Sequence, residues 1–183
     1  LYRGYKPVLW STVEKTALAD AEVEYMDHVS DTIYAAFKVK ESSLDFIKGA
    51  DIVIWTTTPW TIPANKALAY NAGLKYVLIE VNDDKNFINR KIVIAKDLLE
   101  PFKKDTSIEK LNVLEEFSGK DLVNTICSHP FSELGYDYDI PMLEANFVTT
   151  EQGTGIVHCA PSHGPDDFNS VSYTHLRAHE THE

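Results

Sequence analysis

The sequence predicts an α+β domain built on a barrel-like sheet with short peripheral helices. Three observations carry this. Several short runs alternate with the two-residue period of strands or are short and wholly apolar, helical patterns are few and brief, and no regular strand–helix alternation runs along the chain. From Thr32 onward, Ile33, Ala35, Phe37 and Val39 fall on one face, with Thr32, Tyr34, Ala36 and Lys38 on the other. Asp51 to Trp55 is a short apolar run bounded by polar residues and reads as a buried strand. Lys75 to Val81 and Lys91 to Ala95 read as two more strands, separated by the turn-forming stretch Asn82 to Asn86. Pro63 to Tyr70 reads as a helix with Pro in its first turn and Asn71 and Gly73 beyond its end. Lys96 to Lys104 reads as a weak helix broken at Pro101. Asn112 to Phe117, Leu122 to Cys127, Asn146 to Thr150 and Gly155 to Cys159 are short and strand-like. Residues 1–28 have mixed character and read as a connector.

The chain has 183 residues, about one domain's worth, with seventeen basic against twenty-eight acidic side chains and a formal net charge of −11. Apolar residues are 44% and charged residues 25%, which argues against a disordered tail, a collagen-like fibre or a disulfide scaffold. The acidic balance argues against a free-standing nucleic-acid binder, whose phosphate contacts call for a basic face. No apolar run approaches the ~20 residues of a membrane span. The start has neither an initiator Met nor a signal-peptide apolar region, so a fragment of a longer polypeptide is expected. Two cysteines, Cys127 and Cys159, make no framework and fit a reducing cytoplasm.

Two segments could carry chemistry. In the first, Trp55 to Asn65 (WTTTPWTIPAN), an apolar strand runs into Thr56, Thr57 and Thr58, and Pro59 then ends the ladder. Three hydroxyls at a strand end can hold a water or a ribose hydroxyl. Composition alone favours the plainer reading, that β-branched Thr simply suits a strand. In the second, Thr149 to Phe168, Gly153 and Gly155 permit a positive φ or the close approach of a ligand. This is no dinucleotide fingerprint, because the third glycine is missing. Gly164-Pro165-Asp166-Asp167 reads as a helix start, where the carboxylates either cap the helix or pair with a ligand ammonium group. His158 by itself reads as a satisfied core histidine. Thr, His158 and Asp167 supply the residue types of a hydrolytic triad, but no nucleophile elbow accompanies them and no covalent intermediate is expected. At the end of the chain, His175, His179 and His182 would share one helical face with zinc-binding spacing. A lone helix this short is marginal in water and no core pattern supports it, so no metal site is expected.

Taken together, the two segments resemble the editing (CP1) domain of class I aminoacyl-tRNA synthetases. WTTTPWTIPAN at Trp55 to Asn65 and GTGIVHCAPSHGPDDF at Gly153 to Phe168 carry the resemblance. Further agreement runs through Lys6-Pro7-Val8, Trp10, Ala21 to Tyr25 and His129-Pro130. It covers the chain from residue 1 to about 169. Thr58-Pro59-Trp60, where the valyl and leucyl enzymes carry Arg-Pro-acidic, and a His at position 158 point to the isoleucyl type. Ser11 and Glu14 stand where many bacterial members have Cys-x-x-Cys after the Trp, so no zinc is implied there.

The resemblance implies residues 1–28 as a connector to a catalytic domain absent from this chain, residues 29–170 as the editing domain, and residues 171–183 as a foreign tail. It implies hydrolysis of mischarged Val-tRNA(Ile) by a positioned water. Valine is isoleucine less one methylene, worth about 1–3 kcal/mol, a limit long established for this enzyme class rather than derived from these residues. A second, smaller pocket supplies the missing discrimination. By this resemblance Asp167 would hold the α-ammonium, and Thr56, Thr57 and Thr58 would place the terminal adenosine and the water. His158 would exclude isoleucine and Trp60 would help wall the pocket. Asn65 would support the loop or touch substrate, and Gly153, Thr154 and Gly155 join the substrate-binding candidates. No cofactor is implied for editing; ATP and Mg belong to the missing synthetic domain. The partners implied are the tRNA(Ile) acceptor end and the rest of the parent synthetase, with no membrane and a cytoplasmic location. Lys85, Arg90, Lys91, Lys103 and Lys104 are candidate phosphate contacts, or solvated surface charge. A free-standing trans-editing hydrolase and a non-catalytic tRNA-binding module remain as alternatives.

Overall fold

The structure, a computed structural model, describes residues 8–27, 29–83 and 87–171. A small hairpin of β1 (Trp10–Ser11) and β2 (Thr16–Ala17) precedes the main sheet. Nine strands make that sheet: β3 (Ile33–Glu41), β4 (Asp51–Thr56), β5 (Ala67–Tyr70), β6 (Lys75–Asp83), β7 (Phe87–Ala95), β8 (Leu111–Ser118), β9 (Ile126–Ser128), β10 (Asp139–Glu144) and β11 (Ile156–Cys159). Their order is β11-β5-β10-β9-β3-β4-β7-β6-β8, with β5/β10 and β4/β7 parallel and the other pairs antiparallel. Helix α1 (Leu99–Thr106), several 3-10 turns and a helical run over residues 165–171 lie around it. The sheet curls: β11 lies against β4, five positions away in strand order, although no ladder joins them among the described residues. The mixed sheet with few short helices is the α+β class expected.

Burial explains the strands. Ile52 and Ile54 of β4, Tyr76 and Leu78 of β6, and Val93 and Ala95 of β7 enter the main core. Val53, Val77, Ile79, Ile92 and Ile94 point the other way, into a second cluster that Phe102 of α1 covers. Strands buried on both faces read as continuous apolar runs rather than as alternations. The Tyr34 ring meets Phe102 edge-on at 5.2 Å, joining β3 to the same layer.

Four local expectations are corrected. Pro63 to Tyr70 is not a helix: a 3-10 turn at Pro59–Ala64 leads into β5. Leu68 and Tyr70 enter the main core, while Ala67 and Ala69 pack with Ala145, Val148, Cys159 and Val171. Tertiary burial of both faces outweighs the helix propensity of Ala and Leu. Pro101 does not break a helix. It lies in the first turn of α1, where its missing N–H would have no partner in any case. Residues 146–150 form no strand; Asn71 Nδ2 donates to the Val148 carbonyl at 2.9 Å and so engages a backbone group a ladder would have used. Leu122 closes a 3-10 turn, so strand structure in that region begins only at Ile126. The tail carrying His175, His179 and His182 lies outside the described residues, as does Lys85.

Candidate functional site

The curl of the sheet brings the end of β4 to the start of β11. A cavity of about 340 Å³ opens between them, lined by Trp55, Thr56, Thr57 and Thr58 from one side and Gly153, Thr154, Gly155, Ile156, Val157 and His158 from the other, with Asp167 at its edge. The threonines are held in place. Thr58 N–H donates to Thr56 Oγ1 at 3.1 Å, the two hydroxyls lie 3.2 Å apart, and Ser30 Oγ donates to the Thr57 carbonyl at 2.7 Å. Thr56 is buried, Thr58 half-buried and Thr57 exposed.

The facing loop is built on two left-handed glycines, Gly153 at φ +83° and Gly155 at φ +72°. Ala95 N–H donates to the Thr154 carbonyl at 2.8 Å, and the buried Tyr76 hydroxyl donates to the Gly155 carbonyl at 2.8 Å. A side chain on Gly155 would put its Cβ 2.3 Å from Ala95 Cβ, so only glycine fits this close approach.

His158 is buried on β11, paired with Leu68 of β5. Its Nε2 lies 3.0 Å from Thr61 Oγ1 and its Nδ1 3.4 Å from Asn65 Nδ2. Burial, and then the charge of His163, push its pKa down, so the ring is neutral near neutral pH. The helical run at residues 165–171 carries Asp167, whose Oδ2 accepts the Ala160 N–H at 2.9 Å. Burial, the largest effect, raises its carboxyl pKa above the ordinary value, while the Ala160 bond and His163 oppose the rise.

Eight of the ten expected site residues therefore share one cavity. Asn65 and Trp60 do not line it. Asn65 is fully buried behind it, its Nδ2 donating to the Ala67 carbonyl at 3.0 Å. Trp60 is 64% exposed, because the three-residue repeat of the Pro59–Ala64 turn buries Thr61 and Ile62 and leaves Trp60 outside. Sequence reasoning missed Phe147, Thr149 and Gln152 in the lining, and Thr61 behind His158. The only sequence signal for Thr61 was its place inside the first motif. Both cysteines are free and buried, and burial pushes each thiol pKa up to about 12, which leaves them unreactive. Among the described residues no group of three or more His, Cys, Asp or Glu could hold a metal ion, and no helix is long and apolar enough to cross a membrane.

Comparison with solved structures defines the class: this is the fold of aminoacyl-tRNA synthetase editing domains. The editing domain of the Plasmodium falciparum cytosolic leucyl-tRNA synthetase matches with a TM-score of 0.58 at 15% identity, over 75% of this chain and 51% of that one. The Plasmodium knowlesi counterpart gives 0.57 at 16%, over 79% and 62%. At such identities the likeness is one of fold. In sequence, the chain is similar to a segment of isoleucine–tRNA ligases. It is 67% identical to that of Pelagibacter ubique over 181 residues, covering 99% of this chain and 20% of the relative. It is 48% identical to that of Gluconobacter oxydans over 174 residues, covering 92% and 18%. The chain thus spans about a fifth of the length of the relatives it matches. No family model matches it.

Proposed function

We propose that this chain is the post-transfer editing domain of an isoleucine–tRNA ligase and hydrolyses the ester of mischarged Val-tRNA(Ile). One juxtaposition carries the reading: the hydroxyl row of Thr56 to Thr58 and the carboxylate of Asp167 line the same cavity, with His158 in its wall. Two ends of one substrate fit those two features. The Asp167 carboxylate takes the α-ammonium group in a charge-assisted hydrogen bond. The threonine row and nearby backbone groups hold the terminal ribose and a water.

The water attacks the ester carbonyl carbon and the bond from that carbon to the ribose oxygen breaks. A water proton ends on the ribose oxygen, and valine and free tRNA leave. An aminoacyl ester is already labile, so holding the water at bonding distance supplies much of the acceleration. His158 stands in the wall as a neutral ring and limits the room for the side chain; valine enters and isoleucine collides. The partners in this reading are the acceptor end of tRNA(Ile) and the rest of a cytoplasmic parent ligase. ATP and Mg serve ligation in the parent, and no editing step passes through them. Most tRNA affinity resides in other parts of the parent, which is compatible with the net charge of −11.

The test is deacylation of Val-tRNA(Ile) by the chain and by Thr57→Ala combined with Asp167→Ala. Loss of hydrolysis in the variant is expected. Full activity in the variant would overturn the assignment.

A further inference from the structure

His158 lines the cavity, yet both of its ring nitrogens are engaged by groups that do not. Thr61 and Asn65 are both buried, and neither belongs to the cavity lining. The hydrogen-bond directions can be assigned from the partners alone. Thr61 Oγ1 lies 2.8 Å from the Thr58 carbonyl oxygen, which carries no hydrogen, so the single hydroxyl proton goes there. Thr61 can then meet His158 Nε2 only as an acceptor, which requires Nε2–H. At the other side, Asn65 Nδ2 lies 3.0 Å from the Ala67 carbonyl, so the amide nitrogen must face that oxygen and the amide is not flipped. Its second proton is turned to His158 Nδ1, which must present a lone pair. Both ends give the same tautomer. A doubly protonated ring would set Nδ1–H against an N–H, so the pattern also requires a neutral ring.

The mount of these two residues is firm. The 3-10 turn that carries Thr61 is held from behind by the buried His129, whose Nε2 lies 2.9 Å from the Ile62 carbonyl. Tyr138 OH donates to the Asn65 carbonyl at 2.9 Å. Asn65 Oδ1 is buried with no hydrogen-bond partner. An apolar residue would avoid that unsatisfied oxygen, so the use of Asn here rests on what Nδ2 does.

We propose that Thr61 and Asn65 are positioning residues that fix His158 as the neutral Nε2–H tautomer and turn a carbon edge of its ring to the cavity, so that two residues outside the cavity set its width at the amino-acid end. Because neither nitrogen faces the substrate, His158 acts by shape and not as a base. The consequence for specificity rests on the editing reading above; the ring state does not.

The experiment has two arms. Long-range 1H–15N NMR of the 15N-histidine-labelled chain assigns the tautomer: His158 is expected as Nε2–H in wild type, as a mixture in Thr61→Val, and as Nε2–H again in Thr61→Ser. In the second arm, the ratio of Val-tRNA(Ile) to Ile-tRNA(Ile) hydrolysis is expected to fall roughly tenfold in Thr61→Val, the low end for one methylene, and to recover in Thr61→Ser. A wild-type ring in the Nδ1–H form, or an unchanged ratio in folded Thr61→Val, overturns the proposal. A wild-type chain inert toward both esters counts against the editing reading, and the ring assignment then still decides the tautomer.

Discussion

Asp167 Oδ2 takes the Ala160 N–H at 2.9 Å, and that bond ties the helical run to the end of β11 while the carboxylate borders the cavity. Among the described residues no hydrogen bond reaches its Oδ1. Burial holds the carboxyl pKa above its ordinary 3.8, so the folded chain binds this proton more tightly than the unfolded one. The charge therefore lowers stability as pH rises from 3.8 through the raised pKa, and the penalty is complete above it. Asp167→Asn keeps an acceptor for Ala160 and removes the charge. Its melting temperature at pH 7 is expected to equal or exceed that of the wild type while deacylation is lost. A melt at pH 7 well below wild type would show the carboxylate to be structural.

Gly155 leaves no room beside Ala95. Gly155→Ala combines a left-handed backbone with a 2.3 Å Cβ–Cβ approach. It is expected to destabilise the chain by about 2–4 kcal/mol in urea unfolding. Adding Ala95→Gly removes the clash but not the φ strain, so the double variant should recover part of that loss and not all of it.

Tyr76 joins two backbone groups of different loops, accepting the Asn71 N–H at 3.1 Å and donating to the Gly155 carbonyl at 2.8 Å. Tyr76→Phe leaves both without this partner at a fully buried position. A loss of about 1–3 kcal/mol is expected in denaturant unfolding, with a larger relative loss of deacylation at low substrate, because the Gly153–Gly155 loop lines the cavity.

His129 accepts the Phe131 N–H on Nδ1 at 3.1 Å, so its Nε2 carries the proton given to the Ile62 carbonyl. Burial pushes its pKa below the ordinary 6.5, and the same holds for His158. For each, the unfolded chain binds the proton more tightly. The stability they contribute is complete above 6.5 and is lost as pH falls from there through the lowered folded value. Urea midpoints should fall between pH 7.5 and 5, with each histidine contributing at most about 1.4 kcal/mol per pH unit. His129→Asn should flatten that slope while lowering stability at pH 7.5. An unchanged slope would show that His129 titrates as in the unfolded chain.

Strands β3, β4, β6 and β7 were legible because their side chains alternate between two environments, or are apolar on both faces, over enough residues to be distinctive. Ala67-Leu68-Ala69-Tyr70 was not, since a four-residue apolar run serves helix and strand alike and only its two partners, β10 and β11, decide for strand. The site was legible as two motifs. Trp60, which the resemblance assigns to the pocket wall, stands outside the cavity lining, because its direction depends on the phase of a 3-10 turn. Nothing local distinguishes Thr61 from the threonines before it; its partner lies ninety-seven residues away.

The order of residues alone determined the α+β class, the strand-end hydroxyl row, the two-glycine loop and the carboxylate at a helix start, since all of these are local consequences of side-chain type and spacing. Tertiary structure alone decided that β11 returns to β4, that the two motifs enclose one cavity, and which way the His158 ring presents itself. Those depend on how a nine-stranded sheet curls and on hydrogen bonds between residues distant in sequence, and neither is written in any local stretch of the chain.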